Sequence, residues 1–75
     1  MARSSLLHYR PLDGRDESDV RREVLSYARE VVGADELDRH DLDFAVVPVW
    51  WPTNEARTEG KTVPTLRMIG KPKAD

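Results

Sequence analysis

Seventy-five residues, a net charge of −2 and no cysteine describe one small domain without disulfides, thiolate metal sites or a cysteine nucleophile. A chain this short buries only about 60% of its unfolded surface, so its stability is marginal without help. No apolar run approaches the roughly 20 residues of a membrane span, and the apolar run near the N-terminus is too short for a secretory signal, so a cytoplasmic protein is expected.

Charge is uneven along the chain. Residues 1–43 hold eleven acids and seven bases, whereas residues 44–75 hold three acids and five bases. The excess of arginine over lysine is what GC-rich coding tends to give, and so compact and cysteine-free a chain is compatible with a phage or mobile-element source.

Ser4 to Arg10 reads as a first strand, ended by Pro11 and the turn pair Asp13-Gly14. A helix follows over 17–32. Asp16 is placed to cap it through its carboxylate, and Glu17 and Asp19 suit the positive end of its dipole. Val20, Val24, Leu25, Tyr27, Ala28, Val31 and Val32 recur at helical spacing as one broad apolar stripe, with Val24 and Leu25 at its centre as core residues. Arg22, Glu23, Ser26, Arg29 and Glu30 fall on the other side, and Glu17–Arg21 is a favourable i,i+4 pair. Gly33 supplies the C-terminal stop. Ala34 to Asp41 is a polar loop holding one helical turn, anchored by Leu37.

Phe44 to Trp51 is the second strand. On a strand, alternate side chains face opposite ways. One face carries Phe44, Val46, Pro48 and Trp50, and the other Ala45, Val47, Val49 and Trp51. A sheet with one wet face alternates apolar with polar residues, and this segment does not. Both faces therefore need cover. A polar connector over 53–61 leads to a third strand, Thr62 to Ile69. Residues 1–3 and 70–75 are expected to fray. Pro48 and Pro64 remove ladder donors, so kinks or partial pairing are expected there.

The order β-α-β-β makes this a small α+β domain spanning residues 1–75. Residues 11–43 are long enough for a right-handed crossover between the first two strands, and the last two form an antiparallel hairpin. The product is a three-stranded sheet with one helix on one face. Trp50 and Trp51 cannot both lie under that helix.

Candidate chemistry is sparse. His40 beside Asp41, with Asp38 close by, has the elements of an oriented base. The serines sit in a terminus or on the helix with no strained turn to present a hydroxyl, and so small a domain rarely encloses a pocket. His40 then reads as a solvated loop residue. Asp35, Asp38, His40, Asp41 and Asp43 offer hard ligands but lack the spacing and glycine of a calcium loop, and a solvated acidic turn explains them. Gly60-Lys61-Thr62 ends like a phosphate loop, but Glu55 stands where its first glycine belongs. No cofactor, metal, catalytic residue or small-molecule substrate is expected.

Two binding readings remain. Tryptophan and arginine are enriched at interface hot spots, and an uncovered apolar face marks an association surface. Trp50, Trp51, Val47, Val49, Arg57, Lys61 and Arg67 then form the docking surface of a non-enzymatic adaptor, regulator or inhibitor that meets a larger protein or a second copy. The alternative is a nucleic-acid accessory protein using Arg57, Lys61, Arg67, Lys71 and Lys73 beside the tryptophans.

Overall fold

A computed structural model describes residues 5–73. Its elements are β1 (Leu6–Pro11), α1 (Glu17–Val32), α2 (Ala34–Asp38), β2 (His40–Pro52) and β3 (Gly60–Pro72). They form the expected α+β domain, with one antiparallel three-stranded sheet in the order β1-β3-β2. β1 and β2 run parallel to each other, but they are not neighbours: β3 lies between them and is antiparallel to both. The crossover therefore spans a gap that the returning hairpin strand fills. Strand β3 includes Gly70 to Pro72, part of the segment expected to fray. The expected fraying of residues 1–3 lies outside the described residues, as does Ser4.

The turn out of β1 is built by its sequence. Asp13 and Gly14 both take positive φ, +53° and +76°, and the Arg15 N–H donates to the Leu12 carbonyl at 3.0 Å. Positive φ at both central residues defines a type I′ turn, which suits Asp-Gly. Helix α1 begins where expected, although the Asp16 side chain makes no capping hydrogen bond. The Asp16 main-chain carbonyl instead accepts from Asp19 and Val20. Gly33 ends α1 and starts α2 at once: its N–H donates to Arg29 and its carbonyl accepts from Leu37. Its φ of +91° is a conformation that a side chain would oppose.

The β2–β3 ladder runs unbroken from His40↔Pro72 to Pro52↔Gly60, with Pro48 opposite Pro64. Pairing does not break at the prolines, contrary to expectation. The reason lies in the phase of the ladder. Thr53 N–H donates to the Glu59 carbonyl, and Lys73 N–H to the Arg39 carbonyl, at 2.8 and 2.9 Å. These bonds place the hydrogen-bonded pairs at odd-numbered residues. Pro48, Pro52, Pro64 and Pro72 all fall in the alternate pairs, where main-chain groups face away from the partner strand. Pro64 faces β1 and accepts from Leu12 N–H at 3.1 Å. It has no N–H to return, so the Leu12 carbonyl is free for Arg15 and β1 ends there.

The core comprises Val20, Val24, Ala28, Leu37, Leu66 and Met68, flanked by Leu6, Leu12, Val32, Leu42 and Phe44. The sheet members all lie on the face beneath the helices. The helical stripe is narrower than expected: Leu25 is only half-buried and outside this cluster, while Tyr27 and Val31 are exposed. A helix resting on a three-stranded sheet presents one line of residues downward, and its flanks overhang the strands. One flank grips β2 through Arg21, which keeps its Glu17 partner at 3.3 Å and places its guanidinium carbon 5.1 Å from the centre of the Phe44 ring. The other grips β1.

That second grip corrects the reading of Glu23 as a solvent-side residue. Glu23 is half-buried, and its carboxylate is held by both Arg10 of β1 and Arg15 of the turn. The Arg15 hydrogen bond, with help from the charges of both arginines, lowers the Glu23 pKa against a smaller desolvation effect that raises it. A carboxyl with a lowered folded pKa stabilises the fold above its unfolded pKa and loses that contribution as pH falls through the folded value. Glu23→Gln should therefore be less stable than wild type in urea at pH 7. The gap should shrink on acidification below the ordinary glutamate range, and a gap that is constant with pH would contradict the clamp.

Candidate functional site

Cross-strand partners share a face, so the register alone sorts every strand residue. The face without a helix carries Leu7, Tyr9 and Pro11 from β1. Lys61, Val63, Thr65, Arg67, Ile69 and Lys71 of β3 run along its centre. Strand β2 adds Asp41, Asp43, Ala45, Val47, Val49 and Trp51. Five of the seven expected docking residues, Val47, Val49, Trp51, Lys61 and Arg67, thus meet on one surface. Arg57 stands apart at the hairpin tip, and Trp50 lies on the opposite face.

Neither tryptophan is under the helix. Helix α1 covers the sheet only around Leu66 and Met68, and the hairpin projects beyond it, giving a molecule of 44 × 28 × 20 Å. Trp50 lies over Gly60, which leaves no room for a Cβ, and remains half exposed. Trp51 folds along the helix-free face. Its Nε1–H donates to Thr65 Oγ1 at 2.9 Å, and that hydroxyl donates to the Val63 carbonyl at 3.0 Å. Thr65 is completely buried although no helix covers it. The second tryptophan is therefore partly covered by its own strand neighbours, and Val47, Val49 and Val63 are half-buried around it. At the centre of this face, between Tyr9 and Ala45, the Arg67 Nε is buried with no hydrogen-bond partner among the described residues.

The hairpin tip is ordered by one side chain. Asn54 Oδ1 accepts from the Thr58 and Glu59 N–H groups at 3.1 and 3.3 Å, its Nδ2 donates to Thr58 Oγ1 at 2.9 Å, and its carbonyl accepts from Arg57 N–H. Arg57 adopts φ +58°, and its position at the tip depends on that turn. The polar connector expected over 53–61 is thus a side-chain-ordered turn. The asparagine itself was the available signal, since its short amide readily bonds nearby backbone in turns.

The acidic segment divides. Asp35 and Asp38 lie on α2, while Asp41 and Asp43 lie on the helix-free face of β2. Among the described residues no group of three or more His, Cys, Asp or Glu is placed to hold a metal. His40 is buried at the start of β2, not a solvated loop residue. Its Nδ1 is 2.7 Å from the Glu36 carbonyl, which can only accept, so Nδ1 carries the proton. Nε2 is buried with no hydrogen-bond partner among the described residues, and Asp41 points to the opposite face, so the pair cannot work as an oriented base.

Among the described residues no helix is long and apolar enough to cross a membrane. Comparison with protein-family models, with curated proteins and with solved structures gave no significant match.

Proposed function

We propose that the protein is a small non-enzymatic binding module that docks a larger protein through its helix-free sheet face, as an adaptor, regulator or inhibitor. One observation carries this reading: both helices lie on the same side of the sheet, and the bare side is largely apolar from Leu7 and Tyr9 across to Val47, Val49 and Trp51. Apolar surface of that extent, with aromatic residues and a central arginine, has the composition of an interface core. Lys61, Lys71, Asp41 and Asp43 supply its charged rim. A photo-crosslinking residue at Val47 should capture a discrete protein in the source cells, and the adduct should be lost on Trp51→Ala. The same probe at Arg29, on the exposed side of α1, should give none. Equal capture at both positions would sink the proposal.

A second reading rests on a specific arrangement. Lys61, Arg67 and Lys71 lie in one row on β3, with Tyr9 and Trp51 on the flanking strands. A basic row beside aromatic rings suits stacked single-stranded bases. Phosphate contacts weaken steeply with salt, whereas apolar docking does not. Titration with single- and double-stranded oligonucleotides at two salt concentrations is expected to show only weak binding. A submicromolar complex that depends on Lys61 and weakens with salt would favour nucleic acid.

A further inference from the structure

Six large apolar side chains among the described residues are exposed, and four gather along one border of the molecule. Leu7 is 59% exposed, Tyr9 37%, Tyr27 48% and Val31 62%. The first two stand on β1, the outermost strand. The other two stand on the flank of α1 above it. On the helix side of the sheet, between β1 and the Tyr27–Val31 flank, is an apolar cleft of about 100 Å³, floored by Leu6, Ala28 and Met68 and walled by His8, whose ring stacks on Tyr27 with centroids 5.1 Å apart; the Leu7 and Tyr9 side chains lie on the opposite, helix-free face.

The outer edge of β1 is also open over Leu6 to Tyr9, ahead of Arg10 and Pro11 at its end. Leu12 bonds to Pro64, which fixes the phase of the β1–β3 ladder: even-numbered residues bond to β3, and Leu7 and Tyr9 turn their N–H and C=O groups outward. Exposed edges are normally blunted by charge or proline. The opposite edge, on β2, has both, in Asp41, Asp43, Pro48 and Pro52. Between Leu6 and Tyr9, β1 has neither.

We propose that a second copy of this chain pairs antiparallel with the open edge of β1, about a two-fold axis at His8, to form a six-stranded sheet. In this register Leu7 of each copy opposes Tyr9 of the other, and both pairs of outward groups are satisfied. The two His8 residues face each other in a non-hydrogen-bonded pair, and Leu6 opposes Arg10. No like charges meet. Arg10 is already held by Glu23, and burial, with the charge of Arg10 second, lowers the His8 pKa and so favours its uncharged ring. The two α1 helices lie on the same side of the joined sheet, with Tyr27 and Val31 closing the seam above the cleft. Complete cover of the four exposed side chains would bring at most on the order of 400 Å² per copy, about 800 Å² in the pair, before any backbone is counted. That is the scale of a weak, concentration-dependent dimer. The bare sheet faces of the two copies become continuous across Leu7 and Tyr9, which enlarges the docking surface without depending on it.

Sedimentation across a concentration series should show a monomer–dimer equilibrium. Leu7→Lys should weaken it at least tenfold, while Val46→Lys, on the far strand, should leave it unchanged. Because the chain lacks cysteine, His8→Cys gives a direct reading of register. It should form an intermolecular disulfide under mild oxidation, and Val46→Cys should not. If Leu7→Lys impairs folding, wild-type hydrogen exchange decides instead: the Leu7 and Tyr9 amides should gain protection as concentration rises. A monomer at every concentration, a dimer indifferent to Leu7→Lys, or exchange at those amides independent of concentration would overturn the proposal. None of these results bears on the crosslinking experiment at Val47.

Discussion

Leu66→Ala should be the most damaging single truncation in this protein. Leu66 is completely buried on the central strand, flanked in register by Arg10 and Val46, and sits in the cluster with Val20 and Val24. Truncating a buried leucine leaves a cavity and costs about 2–5 kcal/mol. A domain of this length has a total stability on the order of 4–11 kcal/mol, so the variant should be partly unfolded or close to it. Leu25→Ala offers the contrast. Its side chain is half-buried outside the cluster and should cost less than about 1.5 kcal/mol, near the lower range for apolar truncation. Urea denaturation of the two variants side by side measures both. Equal losses would mean that α1 is rotated about its axis relative to the arrangement described.

Gly60→Ala should be the second large effect, and its cause is steric. A Cβ at Gly60 would run into the Trp50 ring and the Trp51 carbonyl. The ring belongs to a movable side chain, whereas the carbonyl belongs to the β2 ladder. The expected cost is about 1–3 kcal/mol, with the damage concentrated at the hairpin end. Adding Trp50→Ala should relieve only the part due to the ring, so the double variant should stay less stable than Trp50→Ala alone. Hydrogen exchange of the Thr62 and Val63 amides should report local opening in Gly60→Ala. A variant as stable as wild type would show that the hairpin carries slack there.

Much of the fold was legible in the chain because its signals are local. The Asp-Gly pair specified its own turn, and Gly33 its positive φ. The 3.6-residue period of the apolar residues identified α1, and Asp16 and Gly33 on either side marked its bounds, Glu17 to Val32. The doubly apolar segment 44–51 was correctly read as a strand, and its two faces do meet different surroundings. What failed to show were contacts set by geometry between distant elements. Glu23 read as solvent-facing by helical position, but its flank overhangs β1, where Arg10 and Arg15 reach it. His40 read as loop, but β2 begins four residues earlier than the apolar run and draws it inward. The prolines read as ladder breakers because the phase of a ladder is invisible until one of its hydrogen bonds is known.

The candidate surface was legible in composition and not in placement. The chain itself announced apolar residues on both faces of one strand, which follows from the two-residue period of any strand. It could not say that both helices would lie on one side, that β3 would separate β1 from β2, or that the hairpin would outrun α1. Those outcomes depend on pairings far apart in sequence, between Leu6 and Gly70 or Phe44 and Met68. Local propensity therefore determined the elements and their apolar faces. Tertiary packing decided which of those faces is covered, because cover depends on what the rest of the chain can reach.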